Sequence, residues 1–240
     1  GALCALVKYI TDGDNAFSVL HGDTGALKKA KYMLALDSDT TLPFESLKKL
    51  VCIASYPLNR PVFSPEKRRI THGYGIIAPR VETTPSSAEK TIFSSFMTLG
   101  GISAYSSPVS ERYMDMFGVS LFTGKGLIDI EAFSQVCVDA FPDGLILSHD
   151  IPEGSLMNTA FAGGVCLTDS FPSKPSAYRK REHRWIRGDI QNLRLLHGTT
   201  NGSPASPEIT MLTKYQLLDN LRRALSPAVS LACLILSLFC

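Results

Sequence analysis

An open α/β sheet flanked by helices is the fold predicted by this sequence of 240 residues. Two patterns carry that expectation. Short apolar runs of strand length alternate with longer segments of helical periodicity, and acids stand at the ends of some of those runs. In chain order, Ala2–Ile10 is a helix-like run. Lys31–Leu36 (KYMLAL) reads as a buried strand running into acids. Pro43 then opens a helix in which Phe44, Leu47, Leu50, Val51 and Ala54 recur at helical spacing. Tyr74–Val81 (YGIIAPRV) is a strand whose end Pro79 places at an edge or a bulge. Ile128–Phe141 forms an amphipathic helix through Ile130, Phe133, Cys137 and Ala140. Gly144–Leu147 is a short strand leading into Ser148-His149-Asp150, and Val165–Ser170 is another strand. Pro175–His197 is a long helix, followed by a polar Gly/Ser/Pro loop at 198–207. Ligands in such folds sit beyond the carboxyl ends of the strands, where the acids lie.

Bulk properties narrow the partners. Hydrophobic residues make up 45% and charged residues 19%, and a net charge of +2 gives no field suited to nucleic acid. The cysteines at 4, 52, 137, 166, 233 and 240 form no CxxC and no Cys/His cluster, which argues against structural zinc. Their spread suits a reducing compartment better than a disulfide framework. The chain opens at Gly1, directly in a helix-like run, and reads as an excerpt from a longer protein.

The other terminus is apolar. Pro227–Cys240 (PAVSLACLILSLFC) carries no charge. As a helix its 14 residues extend about 21 Å, short of a bilayer core of ~30 Å, so it reads as the start of a transmembrane helix or as a buried terminal helix. Ahead of it, TKYQLLDNLRRAL reads as an interfacial helix with Lys214, Arg222 and Arg223 as its basic residues. Those charges place residues 1–225 on the cytoplasmic side. The expected organisation is a catalytic domain over 1–197, a loop over 198–209, an interfacial helix over 210–225 and the start of a span over 226–240.

Four groups of residues could do chemistry. Asp37 and Asp39 follow the first strand; on extended backbone they share a face about 6–7 Å apart, and a divalent cation such as Mg²⁺ or Mn²⁺ would relieve their repulsion. They could equally cap the next helix. Asp150 ends a short strand, where a carboxylate can act as a general base or cap the helix that follows. His149 beside it reads as structural rather than catalytic. Arg181, Arg184 and Trp185 fall on one helix face, suited to a diphosphate and a sugar ring or to a solvated basic surface. Gly124-Lys125-Gly126 is a glycine-rich loop without Walker spacing, in which Lys125 could meet a phosphate or a sugar hydroxyl, or which simply joins two elements. The run LALDSDTT also fits the nucleophile motif of haloacid-dehalogenase-like phosphatases, with Asp37 as nucleophile and Lys125 as the later lysine.

Taken as an ordered set, DxD, a later strand-end acid, RW on a helix and a terminal apolar helix resemble the processive GT-A glycosyltransferases related to cellulose and hyaluronan synthases. The segments YMLALDSDTTLP, GYGIIAPRV, SLFTGKGLID, LSHDIPEG and HRWIRGDIQ resemble more closely the family 84 transferase domain of cyclic β-1,2-glucan synthases. These matches run from about residue 32 to 191. The resemblance implies a GT-A-like mixed sheet in a protein of the bacterial inner membrane, with the catalytic part facing the cytoplasm. It implies UDP-glucose as donor, a growing β-1,2-glucan as acceptor and inversion at the anomeric carbon. Asp37 would contact the donor, Asp39 the metal, and Asp150 would be the base. Arg184 and Trp185 carry over onto the RW of the final motif, whereas Arg181 stands where that motif has Gln. The uridine-gripping strand of such a domain would precede Gly1, and other domains of a larger parent chain would be partners. A GT-A-like scaffold without activity is the remaining alternative.

Overall fold

The computed structural model describes residues 2–99, 111–138, 140–141, 148–197 and 207–238. The elements in chain order are α1 (Ala2–Thr11), α2 (Thr24–Leu27), β1 (Tyr32–Ala35), α3 (Ser46–Ser55), β2 (Val62–Ser64), β3 (Arg69–His72), β4 (Ile76–Thr83), α4 (Pro85–Ala88), α5 (Ile92–Leu99), α6 (Arg112–Phe117), β5 (Gly126–Asp129), α7 (Ile130–Val136), α8 (Asp150–Met157), β6 (Thr159–Asp169), α9 (Pro175–Asn192) and α10 (Met211–Ser237). The strand expected at Gly144–Leu147 lies outside the described residues, as does nearly all of the loop at 198–207.

The expected α/β class is met by a mixed sheet in the order β1-β5-β4-β6, with β2 and β3 as a separate antiparallel pair. The strand β5 runs antiparallel to both β1 and β4, and β4 runs parallel to β6. It follows that β1, β4 and β6 all point one way. The residues after β1, after β6 and before β5 therefore gather at one end of the sheet.

Side-chain alternation explains why helices cover both faces. Met33, Ala35, Ile76 and Ile128 face one layer, where they meet Val7 of α1, Phe133 of α7 and Leu156 of α8. Tyr32, Leu34, Ile77 and Leu127 face the other, against Leu50 and Ala54 of α3 and Ala160, Ala162 and Val165 of β6. Adjacent residues such as Ile76 and Ile77 are both fully buried, so these strands read as continuous apolar runs.

That property also explains an error in the sequence reading. Ile128 does not begin a helix. Gly126–Asp129 is the strand β5, and α7 starts at Ile130, capped by the Asp129 carboxylate accepting from Ala132 N at 3.0 Å. A four-residue strand buried on both faces has no period-two signature. Further on, Pro79 does sit at an irregularity, but inside β4 rather than at its end: between Pro79 and Arg80 the pairing jumps from Ala162 to Cys166. Upstream, α3 begins at Ser46 rather than Pro43, because Glu45 takes a left-handed φ of 64°. Phe44 is consequently 95% exposed and forms no part of the helix's apolar stripe.

The expected start of a membrane span finds no support in the structure. α10 is one helix running through Pro227, and among the described residues no helix is long and apolar enough to cross a membrane. Lys214, Asp219, Arg222 and Arg223 occupy its first half, and the apolar run beyond is too short to offset them. Nor is that half purely an interfacial surface, because Leu217 is buried against Ile151 and Leu195 of the α/β domain.

Candidate active site

The end of the sheet assembled by β1, β5 and β6 brings Asp37, Lys125 and Asp169 together. Lys125 Nζ lies 2.8 Å from Asp37 Oδ2 and 2.9 Å from Asp169 Oδ2. Its side chain is almost entirely buried. Burial alone would lower its pKa, but hydrogen bonds and charges from Asp169 and Asp37 outweigh that and raise it. The ammonium is therefore kept charged. The loop bearing the two aspartates is fastened to the end of β6 in two further ways. Thr41 and Thr168 pair through their backbones, and Thr40 Oγ1 donates to Asp169 Oδ1 at 2.7 Å. Asp37 and Asp39 cap no described helix, since α3 begins well beyond them.

Asp150 faces this cluster from the start of α8. The backbone geometry of Gly124 makes the approach possible. Its φ is +81°, and a Cβ there would stand 3.2 Å from Asp150 Oδ1. The helix α9 holds the segment before Asp150 from behind. Asn192 Nδ2 donates to Ser148 O at 3.0 Å, and Gly188 packs so closely that a Cβ would come within 2.6 Å of the Ser148 side chain. His149, not Asp150, occupies the N-cap position of α8, so Asp150 is not a helix cap. Its pKa is pushed up to about 6, chiefly by burial and by the negative charge of Asp37, against the lowering effect of Lys125 and Arg184. A carboxylate poised there is ionised at neutral pH and still basic enough to accept a proton.

Gly124→Ala should cost about 1–3 kcal/mol of stability, because alanine resists a left-handed φ. It should also crowd the Asp150 carboxylate. Denaturant unfolding of the variant checks the first effect.

Arg181 joins from α9. Its guanidinium stacks over Trp185 at 4.8 Å, Phe171 at 5.2 Å and Tyr178 at 5.6 Å. Burial lowers its pKa, offset by Tyr178, Asp39 and Asp169, which places its positive charge beside the cluster. Arg184 is exposed and acts on Asp150 through its charge. Trp185 is 50% exposed, with its ring against Arg181. His149 is turned elsewhere: its ring meets Phe141 edge-on, and its Nδ1 is 3.8 Å from Glu153.

Two participants escaped the sequence reading. Asp169 ends β6 as Asp37 follows β1, and the strand-end rule applied to Val165–Ser170 would have found it. Glu153 lies one turn after Asp150 and is buried; burial and the Asp150 charge push its pKa up to about 8. Nothing local in the sequence distinguishes it from a surface glutamate.

A divalent cation finds only part of a site here. Among the described residues no group of three or more His, Cys, Asp or Glu is arranged to hold a metal ion. Asp37 and Asp39 supply two carboxylates on one loop, which suits Mg²⁺ or Mn²⁺ when phosphate oxygens of a ligand complete the shell. One Asp37 oxygen is engaged by Lys125.

No family model matches the chain. Over 224 residues, 92% of its length, it is 36% identical to the cyclic beta-(1,2)-glucan synthase NdvB of Rhizobium meliloti (strain 1021). The aligned segment amounts to 8% of that protein, so the chain spans less than a tenth of the length of the relative it matches. It is thus related in sequence to a short segment of a glucan synthase, which is a much larger molecule.

Proposed function

We propose that the chain is the catalytic segment of an inverting glycosyltransferase that moves glucose from UDP-glucose onto a growing β-1,2-glucan. The observation that carries this reading is the apposition of Asp150, with its pKa near 6, to the Asp37–Lys125–Asp169 cluster across Gly124. A base beside a charged cluster suits in-line displacement at an anomeric carbon.

In this reading Asp150 takes the proton of the attacking sugar hydroxyl. The oxygen bonds to the anomeric carbon as the bond from that carbon to the diphosphate oxygen breaks, and UDP departs with the electron pair. Arg181 and Arg184 bind the diphosphate, Arg181 being held in place by its aromatic neighbours. Trp185 offers half of its ring to a sugar. Asp39 and Asp37 would hold a Mg²⁺ or Mn²⁺, which would supply neutralisation of charge on the leaving group. The 36% identity to the glucan synthase segment supports the product assignment. In this reading the chain works at the inner membrane facing the cytoplasm, beside further domains of a larger protein.

UDP-glucose binding by the intact protein tests the donor site. Affinity should rise with Mn²⁺, and Asp39→Asn should remove most of that gain, roughly tenfold or more for a lost metal ligand. Binding that ignores both the metal and the substitution would reject the assignment.

The Lys125–Asp37 ion pair also suits a phosphatase with Asp37 as nucleophile, Asp169 being the acid that joins them. That reading predicts p-nitrophenyl phosphate hydrolysis without any sugar nucleotide, lost in Asp37→Asn. The transferase reading predicts none.

A further inference from the structure

Lys125 is unusual in how it is placed. Its side chain is 10% exposed, yet its Nζ serves two carboxylates that differ in freedom: Asp37 is 62% exposed and Asp169 only 23%. Asp169 is also fixed by Thr40 through its other oxygen. The flanking glycines bring the backbone close, with Gly126 near enough to the Ile77 carbonyl that a Cβ would lie 2.7 Å from it. An ammonium at 2.8 Å holds one Asp37 oxygen, so a divalent cation on the same carboxylate would have to share it with that charge. Two such cations on one carboxylate repel strongly at that range.

We propose that Lys125 is an exchangeable counter-cation, holding Asp37 in the cation-free protein and retreating onto Asp169 when a divalent ion takes Asp37. Lys125 is thus a positioning residue. It keeps the aspartate loop in place between turnovers and keeps the vacated charge neutralised by a second, anchored carboxylate. This rests on the two-carboxylate divalent site proposed above.

The test uses the intact protein and the metal alone, with two readouts. Mg²⁺ titration followed by the ¹⁵N resonance of the Lys125 ammonium should shift that signal with the same midpoint as metal binding. Mn²⁺ affinity should increase roughly tenfold in Lys125→Met, which removes the competing charge, and fall by a similar factor in Asp169→Asn, which leaves the ammonium no second partner. Loss of fold would weaken binding in both variants, so opposite signs separate competition from damage. An ammonium signal unmoved at saturating Mg²⁺, or an affinity unchanged or weaker in Lys125→Met, would overturn the proposal while leaving the divalent site standing. Failure of the wild-type protein to bind Mn²⁺, with or without UDP, would remove that site as well.

Discussion

Asp150→Asn should lower sugar transfer by about 10²–10⁴-fold, the usual contribution of a positioned general base. The substitution keeps the shape of the side chain and removes its basicity, so donor binding should change little. In the wild-type protein the rate should climb with pH through about 6 and level off above it, because only the ionised carboxylate accepts the proton. The causes of that pKa are specific. Burial and Asp37 raise it, while Lys125 and Arg184 oppose them. Lys125→Met should therefore move the acid limb to higher pH. A pH profile flat from 5 to 8, or an Asp150→Asn variant of wild-type rate, would remove Asp150 from the chemistry.

Glu153→Gln should make the protein more stable at alkaline pH, by roughly 4 kcal/mol at pH 8. Glu153 is buried one helical turn beyond Asp150, and its pKa is about 8 in the folded protein against an ordinary 4.5. Between those values the folded chain holds a proton that the unfolded chain has released. Stability consequently falls as pH rises through that window. Asp150 contributes a loss of the same sign between its ordinary 3.8 and about 6. Glutamine cannot ionise, so the advantage of the variant should be small near pH 4, grow with pH and reach its full size above pH 8. Denaturant unfolding across pH 4–9 measures it. A constant difference between variant and wild type would mean that Glu153 has the same pKa in the folded and unfolded chain.

Much of this site is legible in the sequence because its residues obey one rule. An acid at the end of an apolar run is delivered to the ligand end of an open sheet, and Asp37 was found that way; Asp150 was picked by the same rule, but the strand expected before it lies outside the described residues. Arg181, Arg184 and Trp185 were found from helical spacing, and Arg181 and Trp185 do share a face. The carboxylate partner of Lys125 was not found, because Asp37 and Asp169 are joined only by folding. Their strands stand at opposite ends of the sheet order and meet through a loop that bridges Thr41 to Thr168. Glu153 is silent for a related reason: what raises its pKa is burial, followed by the charge of Asp150, and local sequence does not record burial. The strand β5 was missed because both of its faces are covered. The docking of Leu217 was not found because composition reports that it is apolar, not that Ile151 and Leu195 wait beneath it.

The most direct measurement is UDP release from UDP-glucose by the intact protein in membranes, with Mg²⁺ or Mn²⁺, alongside Asp39→Asn and Asp150→Asn. The account predicts metal-dependent release accompanied by glucan formation, lost in both variants. Absence of release from any sugar nucleotide, by folded protein supplied with an acceptor, would contradict it and leave a scaffold without activity.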